Sequence, residues 1–397
     1  MKRIETIKEI SSQQPQKQVW KYLRTFLDES TTTNRIKKFH KIPIDKKDNN
    51  IKKQAEQIGY CISQAEEYYK SAKYATVTTK PLLLYYGSIS LSTALILFVN
   101  EGNVSFDYLR KTGKKWGHGL DAKFNNFPKN LKGIALDDIL KNICATIRKD
   151  DNNIAKGHFS KFYNSLIPSA VIIPVSQKTN KTLLNKKVPQ NSIDIKALDK
   201  IDNDLLNTLT LTLNLPDMYD YYLDIGIKPN LCKARPQIKS ILHYEKDKVI
   251  KVSDKHDVLI DGINIKEKKI LLNYLLSKKS AMKTILDIPD HLILSSTYKY
   301  GPQELFDSYY PDLLDSINGD IFIIVNPEKA LEEKATLYIL LYCFGILCRY
   351  SPDIWMRLIN GSVAFKEFID SLLQVIERKF PNLILDQLMG GKHYIHL

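Results

Sequence analysis

Apolar positions step along the first quarter of the chain at intervals of three and four. Trp20, Leu23, Phe26 and Leu27 mark a short amphipathic helix after Pro15. Residues 30–50 are polar and Lys-rich, with Pro43 among them, and read as a loop. From Ile51 the pattern resumes at Ala55, Ile58, Ile62, Ala65, Tyr69 and Ala72, which predicts a long amphipathic helix over 51–74. Thr78 and Thr79 precede Pro81, and proline suits the first turn of a helix, so a second helix follows and pairs with the first as an antiparallel hairpin. Its residues 82–99 carry no charge. They fall short of the roughly 20 predominantly apolar residues of a membrane span and include Gly87, Ser88, Ser90, Ser92 and Thr93. A helix apolar all round is what the centre of a bundle requires, so this one reads as a buried core helix.

Downstream the pattern changes. Residues 101–128 look irregular, and 136–147 read as a helix with Asp137 and Asp138 in its first turn. The run SAVIIPV at 169–175 is a buried strand held near a sheet edge by Pro174, and 175–200 is a polar connection. Residues 207–215 and 238–266 have strand-like content. In the second, β-branched alternation ends on Asp261-Gly262, a hairpin signal. HLILSST at 291–297 and DIFIIV at 320–325 are further short strands. Helices return over about 328–349, 352–360 and 363–379, punctuated by Pro352, Gly361 and Pro381. The expected class is α+β, predominantly α-helical. A helical N-terminal domain with a buried helical hairpin covers 1–158, a mixed α/β middle covers 159–326, and a helical C-terminal segment covers 327–397 and packs on the rest.

Charge adds an asymmetry to this picture. The net charge of +14 is distributed as +8 over residues 1–100, +9 over 101–200, +2 over 201–300 and −5 over 301–397. A basic half suits nucleic acid, a nucleotide or an acidic protein partner, or serves only to solvate exposed helix faces. The five cysteines, Cys61, Cys144, Cys232, Cys343 and Cys348, are scattered and lack CxxC spacing, which predicts neither disulfides nor a zinc site. The opening MKRIETIKEI has no apolar core, so the expected location is cytoplasmic, with no membrane partner.

Candidate chemistry is sparse. Neither GxGxxG nor GxxxxGK[ST] occurs, nor HExxH nor GxSxG, so no cofactor and no metal are expected. His118 lies in KKWGHGLDAKF beside Lys114, Lys115 and Trp116, with Asp121 following. Flanking glycines allow close backbone approach, and lysines with an aromatic suit a phosphate or a base. His158 lies in the similar AKGHFSKFY, next to Lys156. These six residues, Lys114, Lys115, Trp116, His118, Lys156 and His158, form the candidate ligand-binding set, and His118 and His158 are also the candidates for catalysis. The two Gly-His steps are candidates to converge on one anion site; the plainer alternative is a structural loop with backbone-bonded histidines. Arg35 and His40 fit the R-x4-H spacing of HEPN ribonucleases, but within a segment read as a loop. His393 and His396 read as tail decoration, and RYSPDIW at 349–355 as a structural corner.

Three segments taken together, KPLLLYYGSISLSTALI at 80–96, WGHGL at 116–120 and LLYCFGILCRYSPDIWMRLI at 340–359, resemble the YaaC-like proteins of Bacillus and related bacteria. QAEEYYKSA at 64–72 and RKFPNLILDQL at 378–388 extend the resemblance in order over most of the chain, and it thins through about 160–320. The resemblance implies a cytoplasmic bacterial protein with no catalytic residues to carry over, some relatives lying near purine-synthesis genes and others in mobile or defence contexts. The reading that follows is a non-enzymatic basic binding or accessory protein that engages nucleic acid, a nucleotide or an acidic protein. The alternatives are a metal-independent HEPN-like ribonuclease or defence effector, and a structural subunit of a larger complex.

Overall fold

A computed structural model describes residues 6–45, 48–124, 127, 133–166, 171–173, 198, 201, 206–245, 248–277, 283–288, 290–300, 308–310 and 313–396. The fold is a predominantly helical α+β arrangement that divides into two units. The first comprises residues 1–167, 196–211 and 332–397, and the second 168–195 and 212–331. The C-terminal helices thus belong to the same unit as the N-terminal hairpin.

The first unit is built around the hairpin. Helix Asn49–Tyr74 starts at Asp48, whose carboxylate accepts from the backbone N–H groups of Asn50 and Ile51. Helix Lys80–Val99 returns alongside it, and paired contacts run in opposite senses: Tyr69 Oη to Ser88 Oγ at 2.8 Å, Ser90 Oγ to Gln64 Oε1 at 2.9 Å and Gln54 Nε2 to the Val104 carbonyl at 2.7 Å. Two of the serines that interrupt the apolar run, Ser88 and Ser90, therefore bond to the partner helix. Gly87 is required by the approach, since a Cβ there would lie 2.7 Å from the Tyr69 ring. Helix Glu333–Tyr350 crosses the same core helix, where Gly345 meets Tyr85. Helix Lys80–Val99 is long and apolar enough to cross a membrane by length and composition, yet its Leu84, Leu91, Leu95, Leu97 and Phe98 are packed inside this unit.

Several local expectations are corrected. The polar stretch after residue 28 is a helix, Glu29–His40, capped by Asp28 accepting from Thr31 N–H. Its buried face is Thr32, Thr33, Ile36 and the stem of Lys37, whose ammonium donates to the Ile44 carbonyl, so a hydropathy pattern hides it. The 101–128 region contains helix Phe106–Trp116 and strand Leu120–Phe124. That strand pairs antiparallel with Ile143–Ile147, which is not the end of a helix: helix Leu136–Lys141 stops first. Residues 208–212 are helical rather than extended, because Asn207 Oδ1 caps Thr210 N–H and Thr208 donates to the Leu140 carbonyl. Pro381 does not end the last helix. Val363–Met389 continues through it, held by buried Phe380, Ile384, Leu385 and Leu388, to Gly390 at φ +65°. The C-terminus is no loose tail: Gly391–His396 pairs in parallel with Thr6–Ser11, and buried His393 donates from its backbone N–H and through Nδ1 to Asp386.

The second unit is a six-stranded antiparallel sheet in the order Leu313–Asp315, Ile321–Ile324, Leu231–Glu245, Lys248–Asp261, His291–Tyr300, Lys283–Ile288. Helix Ile265–Ser277 adds Leu271 to a core of Val258, Ile260, Ile263, Leu292 and Leu294. The long hairpin turns between Glu245 and Lys248, not at Asp261-Gly262. Gly262, at φ +70°, instead donates to the Asp290 carbonyl. The expected strand in SAVIIPV is Val171–Ile173, paired with Ser308–Tyr310. The expected polar connection, 175–200, lies outside the described residues except for Leu198.

Candidate functional site

The two Gly-His steps meet. Both lie in the first unit, where the Gly117 carbonyl accepts from His158 N–H at 3.2 Å and the His118 carbonyl from Phe159 N–H at 2.8 Å. The Gly119 carbonyl accepts from Arg148 N–H at 3.0 Å. These bonds use the first N–H groups of helix His158–Ser165, so its N-terminus is occupied by backbone. Gly119, at φ +82°, presses so close that a Cβ would sit 2.5 Å from the Lys156 carbonyl oxygen.

His158 turns inward. Thr93 Oγ1 donates to the Ile89 carbonyl at 2.8 Å, so at 2.9 Å it accepts from His158 Nε2–H. That fixes the tautomer and leaves Nδ1 to accept from the Tyr338 hydroxyl, also at 2.9 Å. Desolvation, reinforced by nearby His118 and Lys161, pushes its pKa down to about 3. A neutral imidazole with both nitrogens engaged is a packing group and a poor proton acceptor.

His118 turns the other way. Its half-buried ring lies against Tyr85 and Tyr342, with centroids 5.5 and 5.9 Å away. Its ring nitrogens make no hydrogen bond among the described residues. Burial, and secondarily the Arg148 guanidinium, lowers its pKa. Arg148 itself holds Asp121 through Nε at 2.8 Å and Nη2 at 2.5 Å, and its Nη1 flanks Gly117. Beneath these groups Tyr342 donates to the Leu120 carbonyl at 2.6 Å, and the buried Tyr85 hydroxyl lies against that of Tyr338 without a well-aligned bond. Burial raises the pKa of all three tyrosines, which keeps them neutral.

Of the remaining candidates, Lys156 pairs with Asp150 at 3.1 Å. Lys114, Lys115 and Trp116 form the last turn of helix Phe106–Trp116, and their side chains lie outside the described residues. Arg35 and His40 do lie on one helix, but Arg35 sits over the Phe26 ring and donates to Thr25, whereas His40 reaches the Phe98 carbonyl. Among the described residues no group of three or more His, Cys, Asp or Glu is arranged to hold a metal. A separate cavity of about 460 Å³ is lined by Thr76, Thr78, Lys80, Asn360, Lys366 and Asp370, with Lys80 paired to Glu377. Among the described residues its lining includes no histidine or cysteine. Sequence reasoning passed over Tyr85, Tyr338, Tyr342 and Arg148. The four-residue interval between Tyr338 and Tyr342 in an apolar helix was the available signal.

The first unit is thus a helical assembly in which the 117–119 turn packs on Tyr85 and Tyr342. A family model described as YaaC-like Protein matches residues 24–388, and the chain belongs to that family. No curated protein matches the chain, and neither does any solved structure.

Proposed function

We propose that the chain is a non-enzymatic binding protein of the cytoplasm that takes single-stranded nucleic acid on the basic part of its first unit. Contact centres on Lys114, Lys115, Trp116 and His118. The observation that carries this reading is the setting of His118: a neutral, half-buried ring with unbonded nitrogens, between two tyrosines and beside Arg148. Such a ring offers a stacking face and a hydrogen-bonding edge to a base, while the adjoining cations serve its phosphates. The net charge of +17 over residues 1–200 supplies long-range attraction. The test is binding of purified protein to labelled single-stranded RNA across a salt series. Affinity that falls steeply with salt, and that weakens when Lys114 and Lys115 are both changed to Glu, supports the reading. No binding at low salt contradicts it and directs attention to an acidic protein partner.

The same imidazole favours a second reading, a metal-independent nuclease with His118 as general acid/base, because it alone of the pair has free nitrogens next to a guanidinium. RNA shortened by the wild type and left intact by a folded His118→Ala variant selects it.

A further inference from the structure

A second group of rings lies on the surface of the first unit. Tyr68 and Tyr86, one from each arm of the central hairpin, stack with centroids 5.7 Å apart and planes 28° from parallel. Both are only half-buried. Arg349, in the last turn of helix Glu333–Tyr350, extends this stack. Its guanidinium carbon is 5.8 Å from the Tyr86 centroid and 5.0 Å from that of Tyr350, and its Nη1 donates to the Tyr86 hydroxyl. Arg349 is exposed, and among the described residues no carboxylate pairs with it. Tyr350 is 62 % exposed. The corner role expected of this segment falls to Trp355, which is buried and donates to the Thr78 carbonyl at 3.2 Å. Arg349 and Tyr350 are left facing solvent.

This platform and the His118 site share one packed neighbour. Tyr86 touches Tyr85 at 5.7 Å between centroids, and Tyr85 touches His118 at 5.5 Å. Tyr85 itself is buried, so the rings that reach solvent are Tyr68, Tyr86 and Tyr350 on one side of it and His118 on the other. Exposed rings with an unneutralised guanidinium between them hold no apolar core together. They match what single-stranded nucleic acid requires, a π-face for a base and a cation that both stacks and bonds a phosphate.

We infer that Tyr68, Tyr86, Arg349 and Tyr350 form a base-stacking platform for single-stranded RNA, a second contact point on the strand that reaches His118. The inference rests on the nucleic-acid reading above and adds to it a second place, away from His118, where bases stack. The full chain is titrated with a single-stranded RNA and with an abasic ribose-phosphate oligomer of equal length, so that phosphate number is constant. The base-bearing strand is expected to bind about tenfold more tightly or better. Tyr86→Leu combined with Tyr350→Ala should shrink that preference severalfold without changing the salt dependence of the abasic strand, whereas Arg349→Gln should shrink it and also lower that salt dependence by about one in log–log slope. Circular dichroism checks that each variant is folded. Equal affinity for the two strands, or a preference that survives in both folded variants, overturns the platform while the phosphate reading stands. If neither strand binds at low salt, both readings fall.

Discussion

Gly117-His118 and Gly157-His158 are alike on paper, each a Gly-His step among lysines and aromatics, and their backbones bond to one another. Their side chains have opposite fates. His158 is desolvated, locked as one tautomer between Thr93 and Tyr338, and held neutral with a pKa of about 3. His118 rests on Tyr85 and Tyr342 with its nitrogens unbonded. The difference teaches that a glycine beside a histidine marks close backbone approach, not the purpose of the ring. His158 is the first residue of a helix whose inner face carries Phe159 and Phe162, so it is drawn into the core. His118 sits in the turn between a helix and a strand, where its carbonyl is used and its ring is spared.

The sharpest way to break this pairing is Gly119→Ala. The added methyl meets a backbone oxygen at a left-handed residue, and the cost should be about 3–5 kcal/mol in a urea denaturation series. The two histidines should then separate. His158→Ala removes two hydrogen bonds and strands the Tyr338 hydroxyl, for a loss of about 2–4 kcal/mol, whereas His118→Ala should cost less than about 1 kcal/mol. Equal losses would contradict the contrast.

A smaller effect comes from acid. Below pH 6.5 the unfolded chain protonates His158 while the folded chain refuses the proton until pH approaches 3. The unfolded state then binds more protons, so this residue's contribution to stability is complete above pH 6.5 and declines as pH falls, by about 1.4 kcal/mol per pH unit. His158→Gln keeps a donor and an acceptor without a titrating ring, and it should flatten that slope measurably between pH 6.5 and 5. Smallest in stability terms is the Lys114→Glu, Lys115→Glu pair, which should leave the unfolding midpoint within about 0.5 kcal/mol. It should still reduce the salt dependence of RNA binding by about two in log–log slope.

Much of the first unit was legible because its apolar residues recur at helical spacing: both arms of the hairpin and the helices after residue 330 lie close to where periodicity puts them. The failures share a cause. Glu29–His40 buries threonines and a lysine stem, and Thr208–Thr212 buries Thr208 on the Leu140 carbonyl and Thr212 on the Tyr222 hydroxyl, so neither shows an apolar stripe. Pro381 is tolerated mid-helix because packing on both sides outweighs a lost hydrogen bond. At the site, the sequence marks both Gly-His steps as candidates but does not encode that residues 117–119 meet 156–159. Contact between segments some forty residues apart is set by tertiary pairing, which no local spacing encodes. The Tyr85, Tyr338 and Tyr342 floor was invisible for the same reason.

The most direct test of the account is a two-dimensional ¹⁵N–¹H spectrum of the imidazoles, recorded over pH and again with single-stranded RNA added. His158 is expected to stay a neutral Nε2–H tautomer down to acid unfolding and to ignore the RNA, while the His118 resonances shift as RNA saturates. A His158 that titrates near pH 6.5, or RNA that perturbs His158 and leaves His118 unmoved, would contradict it.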